Sequence, residues 1–223
     1  MLAMFVLDSV CRESAMAFGR VAARGLVSKT NADDDDRAYR RLIDDALRYR
    51  ANRKIPNRKP AHTVYLLIKF FSCARRNVRI YTGRLSRTVG NVRAYADPEI
   101  TGSAIEFLRR DDSCLSIVIV GEPDVDPGQP IGSHPLLAAI AQADGIRGTV
   151  RVSRGNPRDW RELPHHFVIM DNEAVRIEFD GNSADGAAKF GDAHFAGRLA
   201  RVFDEFERTG SLLFRFAGAG DST

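Results

Sequence analysis

Two adjacent imidazoles, His165 and His166, stand directly before the apolar run Phe167–Met170, and Asp171 closes it. Asn172 follows at once, and a second run carries Arg176 and Glu178 two residues apart. Asp-Asn favours a tight turn, so the two runs read as a β-hairpin. Arg176 and Glu178 then share one face of its second strand. An imidazole can attack phosphorus, and cationic side chains can hold phosphoryl oxygens. His165, His166, Asp171 and Glu178 are therefore the candidate catalytic residues, with Arg176 as a phosphate contact. Quieter roles compete with this chemistry. One histidine can cap the strand while the other meets solvent, and Arg176 and Glu178 can form an ion-pair network with Asp171 or His166. A metal-dependent nuclease using Asp171 and Glu178 lacks the nearby Glu-x-Lys of such sites. No H-x-x-x-H or C-x-x-C spacing is present, so neither metal nor cofactor is expected.

The elements that must position these residues follow from periodicity and punctuation. Ser28–Asp36, ending in four consecutive aspartates, breaks the pattern and leads into a helix over Arg37–Tyr49, with Leu42, Ala46 and Tyr49 on one stripe. Ala51–Pro60, with two prolines, reads as a loop. Thr63–Ala74 is apolar nearly all round, as in a buried helix. Strands are expected at Asn77–Thr82, Leu115–Val120 and Thr149–Ser153. Helices are expected at Asp97–Arg110 and His134–Ala143, with a loop at Glu122–Pro130. After the hairpin, Ala187–Glu207 reads as one closing helix and Gly218–Thr223 as a frayed tail. Strands alternating with helices predict an α/β fold, a mixed and mostly parallel sheet with helices on both faces. The division predicted is a helical extension with a basic loop over 1–60, an α/β domain over 61–216 and a tail over 217–223. Met1–Val27 reads as an amphipathic helix packing on the domain or on a partner, since a signal peptide would start with positive charge. Met4 or Met16 are alternative starts.

At 223 residues, with 44% hydrophobic and 28% charged, the chain is long enough for a substantial core and ordinary for a soluble protein. Three scattered cysteines argue against a disulfide framework and for a cytoplasmic setting. No apolar run approaches the roughly 20 residues that span a bilayer. The net charge of +4 permits an anionic partner. Basic residues crowd two places. Arg40, Arg41, Arg48, Arg53, Lys54, Arg58 and Lys59 surround the first helix and its loop, and Arg75, Arg76, Arg84 and Arg87 flank the first strand. Such density suits a phosphate backbone, though Asp33–Asp36, Asp44 and Asp45 neutralise part of the first group.

The order strand, helix, strand, helix, strand, hairpin and closing helix over Thr63–Leu213 resembles half of a phospholipase D-like protein. NVRIYTGRLS at Asn77–Ser86 is similar to that family's opening strand, and FVIMD at Phe167–Asp171 to the strand within its H-x-K-x-x-x-x-D motif. Aligned on Asp171, Pro164 falls at the nucleophilic histidine, His166 at the lysine and Glu178 at the glycine place. The resemblance implies a phosphodiesterase fold whose nucleophile is missing, hence a phosphate- or nucleic-acid-binding accessory subunit, a homodimer or part of a larger complex. Similarity to bacterial members in restriction and antiviral systems implies a defence role. Two alternatives remain: a metal-independent nuclease using His165 or His166 after a register shift, and a protein-interaction module docking through its N-terminal helix.

Overall fold

A computed structural model of the chain describes residues 29–57, 59–82, 94–120, 131–155, 166–178 and 186–218. The chain runs α1 (Lys29–Tyr49), β1 (Arg53–Asn57), α2 (Pro60–Cys73), β2 (Asn77–Thr82), α3 (Pro98–Leu108), β3 (Cys114–Ile119) and α4 (Pro135–Gln142). It continues with β4 (Thr149–Arg154), β5 (His166–Met170), β6 (Ala174–Glu178), β7 (Gly186–Phe190), α5 (Ala193–Thr209) and β8 (Ser211–Ala217). Eight strands form one mixed sheet in the order β1-β7-β6-β5-β2-β3-β4-β8. Among the described strands β2–β3 and β3–β4 are the parallel pairs, so the parallel part is narrower than the expected mostly parallel sheet. The hairpin and its neighbours β7 and β1 add an antiparallel wing, and β8 closes the other side antiparallel to β4.

Local sequence explains most boundaries. Helices α2, α3 and α4 each begin with proline in the first turn, where its missing N–H costs nothing. The Asp97 carboxylate accepts from the Glu99 N–H, His134 Nδ1 from Leu136 N–H and the Asp192 carboxylate from Phe195 N–H, capping α3, α4 and α5. Period-two alternation then sorts side chains. Val168 and Met170 enter the larger core under α1–α4, whereas Phe167 and Ile169 face α5 with Tyr81, Val118, Leu199, Phe203 and Phe206. Among the described residues helices thus cover both faces, α1–α4 on one and α5 on the other.

Four features depart from expectation. The segment read as a loop contains β1, an edge strand that tolerates Pro56 because its outer margin needs no donor. The single closing helix is a strand followed by a helix, β7 and α5, separated at Gly191. That residue has φ +69°, and a Cβ there would lie 2.0 Å from the Arg50 carbonyl oxygen. Helix α1 starts at Lys29, earlier than expected, and buries Tyr39, Ile43 and Ala46 while Tyr49 is two-thirds exposed. β8 was not foreseen.

The hairpin turn is held from outside. Asp171 and Asn172 both adopt positive φ, 47° and 56°, as a tight I′-type turn demands. The Asp171 carboxylate accepts backbone N–H bonds from Arg75, Arg76 and Asn77 at 2.5, 2.9 and 2.8 Å, stapling the hairpin to the start of β2. Replacing Asp171 by Ala removes three charge-assisted bonds, and we expect a loss of about 2–3 kcal/mol in urea unfolding with the secondary structure retained. Tyr81, stacked on Phe167 at 4.7 Å beneath α5, has its phenol pushed up to about 12 by burial. An unfolded phenol ionises near 10, so this contribution is complete below pH 10 and is lost as pH rises to about 12. Denaturation at stepped alkaline pH, following phenolate absorbance, should show that fall, and Tyr81→Phe should reduce it, the buried phenols of Tyr39 and Tyr95 supplying the remainder.

Candidate functional site

One register row crosses five strands: Asn57 on β1, Gly186 on β7, Glu178 on β6, His166 on β5 and Thr82 on β2. Thr82 and its parallel neighbour Ile119 end their strands here, so the row lies at the carboxyl ends of the parallel strands, where open α/β sheets generally bind ligands. Asn57, Thr82, His166 and Glu178 are all buried. Gly186 leaves room for this row, since a Cβ would stand 2.6 Å from Ile177 O and 2.8 Å from Asn57 Oδ1.

Arg176 sits two residues inward from Glu178 on the same face and is fully buried. Its Nη1 donates to Glu178 Oε2 at 3.0 Å and to His166 Nδ1 at 3.0 Å, and its Nη2 donates to Thr63 Oγ1 at 3.1 Å. Thr63 Oγ1 also accepts from Asn57 Nδ2 at 3.1 Å. Guanidinium has no acceptor, so His166 Nδ1 must carry a lone pair and the proton must reside on Nε2. Nε2–H then donates to the Tyr95 hydroxyl oxygen, 2.7 Å away. Complete burial holds the Tyr95 phenol far above its ordinary range, the nearby Arg176 charge offsetting part of that shift. Tyr39, from α1, also feels the Arg176 charge, and burial raises its phenol strongly. Arg176 Nε and Tyr39 Oη make no hydrogen bond among the described residues.

The foreseen Arg176–Glu178 network therefore exists, and it includes His166. It excludes Asp171, which lies five residues along the strand, about 17 Å away at 3.4 Å per residue. The candidate catalytic residues are thus split between the two ends of the sheet. Arg75 and Arg76 are exposed at the Asp171 end, away from His166. Arg176 faces the interior, not solvent. Arg41 and Arg53 are exposed, Arg40 lies over the Tyr65 ring at 5.1 Å and Arg48 over Tyr49 at 5.5 Å. Lys54 is half-buried opposite Lys189 of β7, and burial first, then that neighbour, lowers its pKa. Lys59 pairs with Asp35 and Asp36. His165, Arg58, Arg84, Arg87 and Met1–Val27 lie outside the described residues. Sequence reasoning missed Thr63, Asn57 and Tyr95. The first two carry a signal in hindsight, polar groups beside a proline-started helix, whereas Tyr95 carries none.

No protein-family model matches the sequence, and no curated protein matches it. Among solved structures, the chain is similar to Nuc from Salmonella typhimurium, a phospholipase D family member, at 16% identity and TM-score 0.46, over 72% of this chain and 97% of that one. NucT from Helicobacter pylori gives 11% identity and TM-score 0.46 over 72% and 98%. The archaeal chromatin protein TrmBL2, described as showing a novel mode of DNA binding, gives 12% and 0.47 over 82% and 64%. At these levels the likeness concerns the chain trace and assigns no residue a role. No helix among the described residues is long and apolar enough to cross a membrane.

The buried charges set the stability of this region. Replacing Arg176 by Met leaves the Glu178 carboxylate buried without its cation, at an expected cost of about 3–5 kcal/mol. Pairing Arg176→Met with Glu178→Met should restore most of it, giving a large coupling energy in a double-mutant unfolding cycle.

Proposed function

We propose that this chain binds a phosphate-bearing ligand, most simply nucleic acid, without hydrolysing it, as an accessory subunit of a homodimer or larger complex. The commitment of both His166 nitrogens supports this reading most directly. A nucleophilic imidazole needs a lone pair aimed at phosphorus. Here the Nδ1 lone pair accepts from Arg176 and Nε2 carries the proton shared with Tyr95. Pro164 stands where the resembling motif places its attacking histidine, and proline has no side-chain nucleophile. Binding would use exposed guanidinium groups. Arg37, Arg41 and Arg48 are all exposed on α1 and follow one another at helical spacing, offering a basic stripe to a backbone. A setting in bacterial antiviral defence agrees with the sequence resemblance.

Fluorescence anisotropy of the full chain with single-stranded and duplex DNA across a salt series tests the reading. Affinity should fall steeply with salt, and the Arg37→Ala/Arg41→Ala/Arg48→Ala variant should reduce the log–log slope by about 2–3 on duplex, at roughly 0.9 per phosphate contact. The same preparations, with and without chelator, should leave labelled DNA intact. Metal-independent cleavage abolished by His165→Ala or His166→Ala would instead establish the nuclease alternative.

A further inference from the structure

Asp35 and Asp36 of α1 close on His62, in the first turn of α2. Asp36 Oδ1 lies 3.3 Å from His62 Nε2, and one donor atom from each of the three residues lies within 4.8 Å of the others. A tetrahedral ion bonded to nitrogen and oxygen at about 2.0–2.1 Å separates adjacent donors by about 3.3 Å, so the Asp36–His62 spacing is that of two ligands on one cation. A cationic group already occupies the place, because Lys59 Nζ lies 2.8 Å from Asp35 Oδ2 and 2.8 Å from Asp36 Oδ1.

His62 supplies a separate indication. Its side chain is nine-tenths buried, and its ring is stacked on Tyr39 with centroids 3.6 Å apart and planes 3° from parallel. Among the described residues Nδ1 makes no hydrogen bond, which is uncommon for a buried polar group, and Nε2 has its 3.3 Å contact with Asp36. Stacking on Tyr39 fixes the ring plane, with Nε2 on the side of Asp36. One imidazole and two carboxylates suit a borderline cation such as zinc, with water completing the sphere.

We propose that Asp35, Asp36 and His62 form a divalent-cation site of the zinc class, with the Lys59 ammonium as its built-in competitor. Three residues from two helices share the ion, so loading would tie α1 to α2. This assignment is independent of how the chain treats nucleic acid.

Calorimetric titration of the full chain with zinc alone at neutral pH provides the test. Wild type should take up about one equivalent. Asp36→Asn and His62→Gln should weaken binding at least about tenfold, the size that even outer-shell changes produce at metal sites. Asp35 is exposed, so Asp35→Asn gives a matching loss without disturbing packing, and Lys59→Met should tighten binding severalfold. Cobalt(II) in place of zinc should give visible bands without thiolate charge transfer, separating this site from the cysteines. Zinc uptake unchanged in Asp35→Asn and Asp36→Asn, or none by wild type at micromolar concentrations, would overturn the assignment.

Discussion

A guanidinium with no access to water dictates the layout of this protein's polar half. Arg176 is carried inward by strand alternation, and a charge placed there must be compensated by groups that arrive from elsewhere. Glu178 comes from the same strand, His166 from its hairpin partner, and Thr63 from a helix more than a hundred residues earlier in sequence. Asn57 and Tyr95 extend the set to β1 and to the segment before α3. Hydrogen bonds are directional, so this set fixes where α2 sits over the sheet. On the opposite face α5 also buries Arg198, but the core it covers is mainly apolar. Aromatic and aliphatic packing seats α5 there, with Arg79–Asp204 and Arg151–Glu207 at its borders.

The same bonds shape what the site can do. An imidazole between a permanent donor and a phenol is held in one tautomer and one orientation. It bridges Arg176 and Tyr95 by hydrogen bonds. A backbone-binding role asks only for charge and shape at the surface, where arginines of α1 are exposed, whereas phosphoryl transfer asks for a free lone pair.

Much of the layered architecture was legible because its signals are local. LSIVIV and FVIMD are apolar runs of strand length, Asp-Pro-Glu marks a helix start, and Asp-Asn marks a turn. Failures came where local signals mislead. GAAKF over β7 is alanine-rich and runs towards α5, so its β character comes from pairing with β1 and β6. RKIPN over β1 looks like a loop because only an edge strand admits its proline. Arg176 and Glu178 were recognised as sharing a face, but nothing in two charged residues says that the face is interior. The His166–Tyr95 bond joins positions 71 apart, and no periodicity connects them.

Pro56 makes the two margins of the sheet unequal. On the β1 side the outward backbone lacks one donor in a strand of five residues, so a further strand would find a broken ladder. The β8 side presents seven residues without proline and with Leu212 more than half exposed. Among the described residues, lengthwise pairing with another polypeptide is thus discouraged by proline along one border and by no proline along the other.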